Sequence, residues 1–171
     1  VSSLYNKTVY DLYNNMLRNT TEAMSAAIGG VDEITVLPHD FVMGGDSEFG
    51  DRIARNVQLM LKEESHFDKV ADPSAGSYYI ETLTKELAEQ AWTEFLKVEE
   101  KGGFLKAMTE GYLKTEIEAT VAKRQKLIAS RRKVYVGINN YPNLTEEFPA
   151  DADYPKSKIA EGNALNMHRG A

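Results

Sequence analysis

Cysteine is absent from the 171 residues, which excludes disulfides and thiolate metal sites. Basic charge is in deficit: 20 Lys and Arg stand against 26 Asp and Glu, a net charge of −6. That balance argues against nucleic acid or an anionic membrane surface as a partner, because either needs a surplus of cations on one face. Long apolar runs are missing too. No stretch reaches the ~18 residues of a bilayer span, and the first residues lack the basic and apolar regions of a signal peptide. No membrane partner is therefore expected, and the expected location is cytoplasmic. What is present, 42% hydrophobic residues over this length, suits one globular domain with a sizeable core.

Apolar periodicity organises the chain. Val9, Leu12, Tyr13, Met16, Leu17, Ala23, Met24, Ala27 and Ile28 recur at helical spacing, so a helix is predicted over 8–28, with Thr8 and Asp11 imitating a capping box and Gly29-Gly30 as the stop. Ile34-Thr35-Val36-Leu37 is β-branched and closed by Pro38, the pattern of a buried strand. Phe49, Ile53, Val57, Met60 and Leu61 predict a second helix ending near Glu64. A loop with a short extended piece at Tyr78-Tyr79-Ile80 follows. Leu83, Leu87, Ala91, Phe95 and Val98 predict a third helix closed by Gly102-Gly103, and a short fourth runs from Phe104 to about Met108. A fifth carries Leu113, Ile117, Val121 and Ile128 inward. Val134-Tyr135-Val136-Gly137-Ile138 reads as the second strand. From 146 onward a polar, Pro-containing stretch reads as an extended tail or the start of a linker.

Helices alternating with buried strands imply parallel pairing and an α/β protein. Two or three strands are too few for a closed barrel of eight. The chain also begins with Val1 on loop-like residues. It reads as a piece of a longer polypeptide, with further strands upstream.

Few residues suggest chemistry on their own. His39, His66 and His168 are far apart, and none has a second ligand at metal-binding helical spacing. Pro38-His39-Asp40 follows a strand directly, where α/β barrels place their catalytic groups, but the simpler reading is a polar strand-end loop. Gly29-Gly30, Gly44-Gly45 and Gly102-Gly103 lack the flanking pattern of a phosphate loop and read as caps and turns. Arg52 and Arg55 read as partners of salt bridges to neighbouring helices. Arg131-Arg132-Lys133 reads as a helix C-terminus, where cations complement the macrodipole.

A set of motifs carries more. Asp11-Leu12-Tyr13-Asn14-Asn15, Arg18 with Glu22-Ala23-Met24, and Arg52-Ile53-Ala54-Arg55-Asn56-Val57-Gln58 come first. Asp72-Pro73-Ser74-Ala75-Gly76-Ser77-Tyr78, Gly102-Gly103-Phe104-Leu105-Lys106-Ala107, Ile117-Glu118 with Arg124-Gln125, and Val136-Gly137-Ile138-Asn139-Asn140-Tyr141 follow. In this order and spacing, over about residues 5–145, they resemble the barrel domain of methylmalonyl-CoA mutase. The resemblance implies a (β/α)8 barrel fragment, its last third or so, from an adenosylcobalamin enzyme that interconverts methylmalonyl-CoA and succinyl-CoA. The family's substrate-facing Tyr and His, and its separate cobalamin domain, would lie outside residues 1–171.

The departures from the family pattern bear on function. Catalytic members carry Gln before the Asp-x-Tyr-Asn-Asn motif, where this chain has Tyr10. They carry Asp-Glu-Ala-Leu-Ala-Leu-Pro after the strand, where it has Asp40-Phe41-Val42-Met43-Gly44-Gly45-Asp46. An amide and a carboxylate give way to a phenol and a phenyl ring, so the cofactor-facing positions Tyr10, Phe41 and Val42 are degenerate. No catalytic residue, no metal ligand and no bound cofactor is expected on this chain. The resemblance extends to the non-catalytic small subunit of heterodimeric bacterial mutases. The expected partners are then a catalytic large subunit, acyl-CoA in the holoenzyme and, for the isolated piece, a second copy of itself. A fragment of a catalytic chain of a related acyl-CoA mutase, and a stand-alone helical interaction module, are the alternatives.

Overall fold

The structure, a computed structural model, describes residues 1–44 and 47–146. The chain divides into two compact units: Val1–Asp72 with Arg124–Ala171, and Pro73–Lys123. Among the described residues no stretch forms a β-strand, and the architecture is helical.

In the first unit, α1 spans Asn14–Ile28 and begins later than its apolar spacing predicts. Asp11 sits at φ 49°, a left-handed conformation that a helix cannot propagate through. The capping box does not form. Instead the Asp11 carboxylate accepts from the Asn14 amide at 2.6 Å, and the Thr8 hydroxyl donates to the Tyr10 carbonyl at 2.8 Å. The helix stops where predicted: Gly30 takes φ 70°, and its N–H and that of Val31 return to the Ala27 and Ala26 carbonyls, closing the last turn.

The face that α1 buries is not the apolar stripe. Asn15, Asn19 and Ala23, four residues apart, are buried, whereas Leu17 is 66% exposed. Helix α2, Glu48–Glu63, keeps its predicted extent. The Ser47 hydroxyl accepts from the Gly50 N–H at 2.9 Å, and Glu48 and Asp51 occupy its positively charged first turn. Its inner face is Gly50, Ala54, Val57 and Leu61. With Ala23 and Val36, Ala54, Val57 and Leu61 form one core, and Ile34 and Phe67 pack against it.

Both predicted strands in this unit are corrected. Residues 34–37 keep the alternation of a strand, Val36 inward and Thr35 outward. Their ties to residues 1–6 are two, a Ser2 N–H bond to the Thr35 carbonyl at 2.7 Å and a Leu37 N–H bond to the Ser2 hydroxyl at 2.9 Å. A ladder needs successive pairs along a neighbouring strand, and these do not form here. Residues 134–138 make a turn in which a single parallel bridge joins Val136 and Asn140. Gly137 at φ 83° reverses the chain there, and the Asn139 side chain staples the turn through the Tyr135 N–H and the Ile128 and Lys133 carbonyls.

The second unit holds α3 (Tyr78–Glu100), α4 (Phe104–Thr109) and the start of α5 (Tyr112–Ala129). The extended piece expected at Tyr78-Tyr79-Ile80 is instead the first turn of α3. The turn before it ends at Gly76 with φ 78°, and Glu81 reaches back to accept from the Gly76 N–H. The Gly102-Gly103 stop holds, both at positive φ. The apolar residues of α3 and α4 are largely uncovered. No residue of α3 is buried, and Leu87, Trp92, Phe104 and Ile117 are each more than half exposed. Contiguous apolar surface of this kind drives association. The isolated 171-residue chain is expected to form oligomers whose mass grows with concentration in light scattering; a monomer across a wide concentration range would contradict this. The expected tail lies outside the described residues except for Glu146, whose carboxylate accepts from the Asp11 N–H at 2.7 Å.

Candidate functional site

The N-terminal turn of α1 is built on polar groups. Asn15, 0% exposed, uses every donor and acceptor of its amide. Its Nδ2 donates to the Thr8 carbonyl at 2.8 Å and to the His39 carbonyl at 2.9 Å, while its Oδ1 accepts from the Thr8 N–H at 3.1 Å and from Arg18 Nη1 at 2.8 Å. Arg18, one turn on, also donates from Nη1 to the Thr8 hydroxyl and from Nη2 to the Val136 carbonyl at 2.7 Å. Asn19 donates to the Leu37 carbonyl at 2.8 Å. One helical face thus fastens residues 8, 37, 39 and 136. Spacing of apolar residues cannot reveal this network, but Asn15 and Asn19 at i and i+4, with Arg18 between them, are its sequence trace.

Around it lie the residues that the sequence singles out. Tyr10 packs against the buried cluster of Ile128, Tyr135 and Ile138. Val42 is buried and Phe41 half-buried in a 3-10 turn, Phe41–Met43. His39 lies in the loop after residues 34–37 and is enclosed there. It is 6% exposed, stacked on the Tyr13 ring at 5.7 Å with the Phe49 ring edge-on at 5.8 Å. Its Nδ1 lies 3.9 Å from Asp40 Oδ1, too far for a hydrogen bond. The other Asp40 oxygen accepts from Ser47, which ties this turn to the start of α2. His66 is exposed, and His168 lies outside the described residues. Arg52 and Arg55 are exposed, and among the described residues neither forms the expected salt bridge. Arg131 and Arg132 follow the end of α5 as predicted. Among the described residues no three His, Asp or Glu side chains come together as a metal site.

Charge is concentrated on the same side of α1. Lys7 is 4% exposed and pairs with Glu22 at 3.0 Å, and Glu22 also accepts from the Asn6 amide and the Ser3 N–H. Burial pulls the Lys7 ammonium below its ordinary value of 10.5; the hydrogen bond and charge of Glu22 push it up, and Arg18 adds to the lowering. Just below pH 10.5 the unfolded chain therefore binds more protons at this position than the folded one, and folding stability gains from Lys7 as pH rises towards that value. The stability difference between the wild type and Lys7→Met is expected to shift in favour of the wild type across this alkaline window, as read by urea unfolding at several pH values. A constant difference would contradict the lowered value. Burial likewise lowers Arg18, with Asp11, Tyr135 and Glu22 opposing.

Comparison with known proteins decides the family. The methylmalonyl-CoA mutase family model matches residues 1–169. The chain belongs to the methylmalonyl-CoA mutase family. It is 48% identical over 175 residues to the methylmalonyl-CoA mutase small subunit of Porphyromonas gingivalis, covering 99% of this chain and 28% of that one. The small subunit of Streptomyces virginiae is 43% identical over 146 residues, 85% of this chain and 24% of that one. The methylmalonyl-CoA mutase of Escherichia coli is 40% identical over 140 residues, 82% of this chain and 20% of that one. The chain therefore spans only a fifth to three-tenths of these mutase-family relatives.

Proposed function

We propose that this chain is the C-terminal part of the (β/α)8 barrel of the small subunit of an adenosylcobalamin-dependent methylmalonyl-CoA mutase. In this reading it supports a catalytic large subunit that isomerises methylmalonyl-CoA to succinyl-CoA in the cytoplasm, and performs no chemistry itself. The carrying observation is the 48% identity to a protein named as small subunit, extending over 99% of the chain.

The chemistry of the rim residues supports the non-catalytic part. A corrin presents amide side chains, which need donors and acceptors placed to meet them. At the positions where catalytic members offer Gln and Glu, this chain has Tyr10, packed against Ile128, Tyr135 and Ile138, and Phe41 beside the buried Val42. His39, the nearest imidazole in sequence, is enclosed by two rings. These residues do not fit the group. The helical segments, with 34–37 extended between α1 and α2, accord with a strand–helix repeat that acquires its ladders only beside the remaining barrel strands.

The test is reconstitution. The intact polypeptide is mixed with the catalytic large subunit, and association is followed by size-exclusion chromatography while conversion of methylmalonyl-CoA is assayed. A stable heterodimer, with no turnover from this polypeptide alone in added adenosylcobalamin, is the expected result. Turnover by the lone polypeptide would establish instead the reading as a catalytic chain, which the 40% identity to the Escherichia coli mutase favours. Failure to associate would overturn the supporting role.

A further inference from the structure

An open cleft of about 450 Å³ runs along α1, between its Asn14 to Glu22 side and the chain at Lys133, Val134, Tyr135 and Val136. Two cations line it without a carboxylate at ion-pair distance among the described residues, Arg18 and Lys133, although the chain as a whole is acidic. The acid on its wall, Glu22, is already committed to Lys7, Asn6 and the Ser3 N–H.

Arg18 has an unused side. Of its five N–H donors, two on Nη1 go to Thr8 and Asn15 and one on Nη2 goes to the Val136 carbonyl. The Nε–H and the second Nη2–H have no partner among the described residues. A guanidinium locked by three bonds and left with two free donors is a preorganised receptor for an oxyanion, because little rotamer freedom remains to be lost on binding. Lys133 is held nearby. Its ammonium lies 4.9 Å above the Tyr5 ring and 3.5 Å from the Tyr5 hydroxyl, leaving at least two of its three protons for a ligand. Tyr5 is in turn stacked by the Arg124 guanidinium at 3.2 Å. Arg124 is buried, donates to the Tyr135 hydroxyl at 2.6 Å, and has an Nε–H without a partner. Among the described residues no carboxylate pairs with this guanidinium, which leaves the wall behind Tyr135 and Tyr5 positively charged.

We propose that this cleft binds the oxyanion end of a small molecule, a phosphate or a carboxylate, through the free edge of Arg18 and the ammonium of Lys133. The site lies on α1 and the turn around 133–136, with neither Phe41 nor Val42 in its lining, and does not depend on the mutase reading.

The experiment titrates the intact protein with inorganic phosphate and, separately, with succinate, by calorimetry and by amide shifts of residues 133–136. The variant that decides it is Lys133→Met, whose half-buried side chain contributes one long hydrogen bond and two cation–π contacts, to Tyr5 and Tyr135, so the fold is checked by circular dichroism. Saturable binding of either anion, weakened about tenfold in Lys133→Met and with rising salt, supports the site; the tighter of the two names the oxyanion. Arg18→Lys keeps the charge and removes the fork, so a comparable loss is expected with the fold checked by circular dichroism. No saturable binding of either anion by the wild type, or binding equal in wild type and Lys133→Met, would overturn it.

Discussion

Asn15→Ala is expected to lower the folding stability of the first unit by about 3–5 kcal/mol, enough to unfold a protein of ordinary stability. The size follows from what is left behind. The side chain is fully buried and its amide is paired with the Thr8 N–H and carbonyl, the His39 carbonyl and Arg18 Nη1. Truncation strips partners from at least three main-chain groups that water cannot reach, and each such orphan costs about 1–3 kcal/mol. The lost volume adds less. Asn15→Asp is the more informative variant, because it is nearly isosteric: its carboxylate would still accept from Thr8 and Arg18 but would face the carbonyls of Thr8 and His39 with no donor. It should therefore be almost as damaging at neutral pH and partly recover as the acid is protonated, since a protonated carboxyl regains one donor. Chemical unfolding of both variants across pH checks this. A loss below about 1 kcal/mol for Asn15→Ala would show that water replaces the amide and that the network is not what fixes this turn.

The same residue shows where the sequence is legible and where it is not. Local signals come through. The Gly30 and Gly102-Gly103 stops, the extent of α2 and the short α4 all rest on turn chemistry and period within a few residues, and the structure agrees. The start of α1 does not come through: Asp11 leaves the helical region, and its N–H is taken by Glu146, 135 residues away. The burial on α1 is misread for a related reason. Apolar spacing names Leu17 and Met24, while the helix turns Asn15 and Asn19 inward to meet carbonyls of segments still to come. Strands fail for lack of company: 34–37 has the right residues and alternation but forms no ladder with its neighbours here. The stripe of α3 is correctly periodic but mostly uncovered, while that of α5 turns inward at Ile128, half-covers Leu113 and Val121 and leaves only Ile117 exposed. At the candidate rim, the resemblance marks Tyr10 and Phe41, but nothing in the sequence announces that His39 is enclosed by Tyr13 and Phe49.

Gly137→Ala is the second substitution expected to be severe, and it separates two causes that usually travel together. Gly137 is at φ 83°, where an added Cβ costs about 1–2 kcal/mol from backbone strain alone. The Cβ would also lie 2.6 Å from Asn14 Nδ2 and against the Asp11 carboxylate, the pair that shapes the turn before α1. Those groups cannot withdraw freely, because they bond each other at 2.6 Å and Asp11 is held in its own left-handed conformation. Gly44, in the same unit, supplies the control: it is left-handed at φ 100°, and an added Cβ meets nothing within 4 Å. Gly44→Ala should therefore show the strain term alone, and Gly137→Ala should exceed it by about 1–3 kcal/mol of overpacking, or several degrees in melting temperature. Because the Val136 carbonyl next to Gly137 accepts from Arg18, displacement of this turn should also loosen the guanidinium. That predicts a larger amide-exchange increase at Thr8 and Asn15 in Gly137→Ala than in Gly44→Ala. Equal losses in the two variants would mean that the turn yields without strain and that the Asp11–Asn14 pair does not hold it.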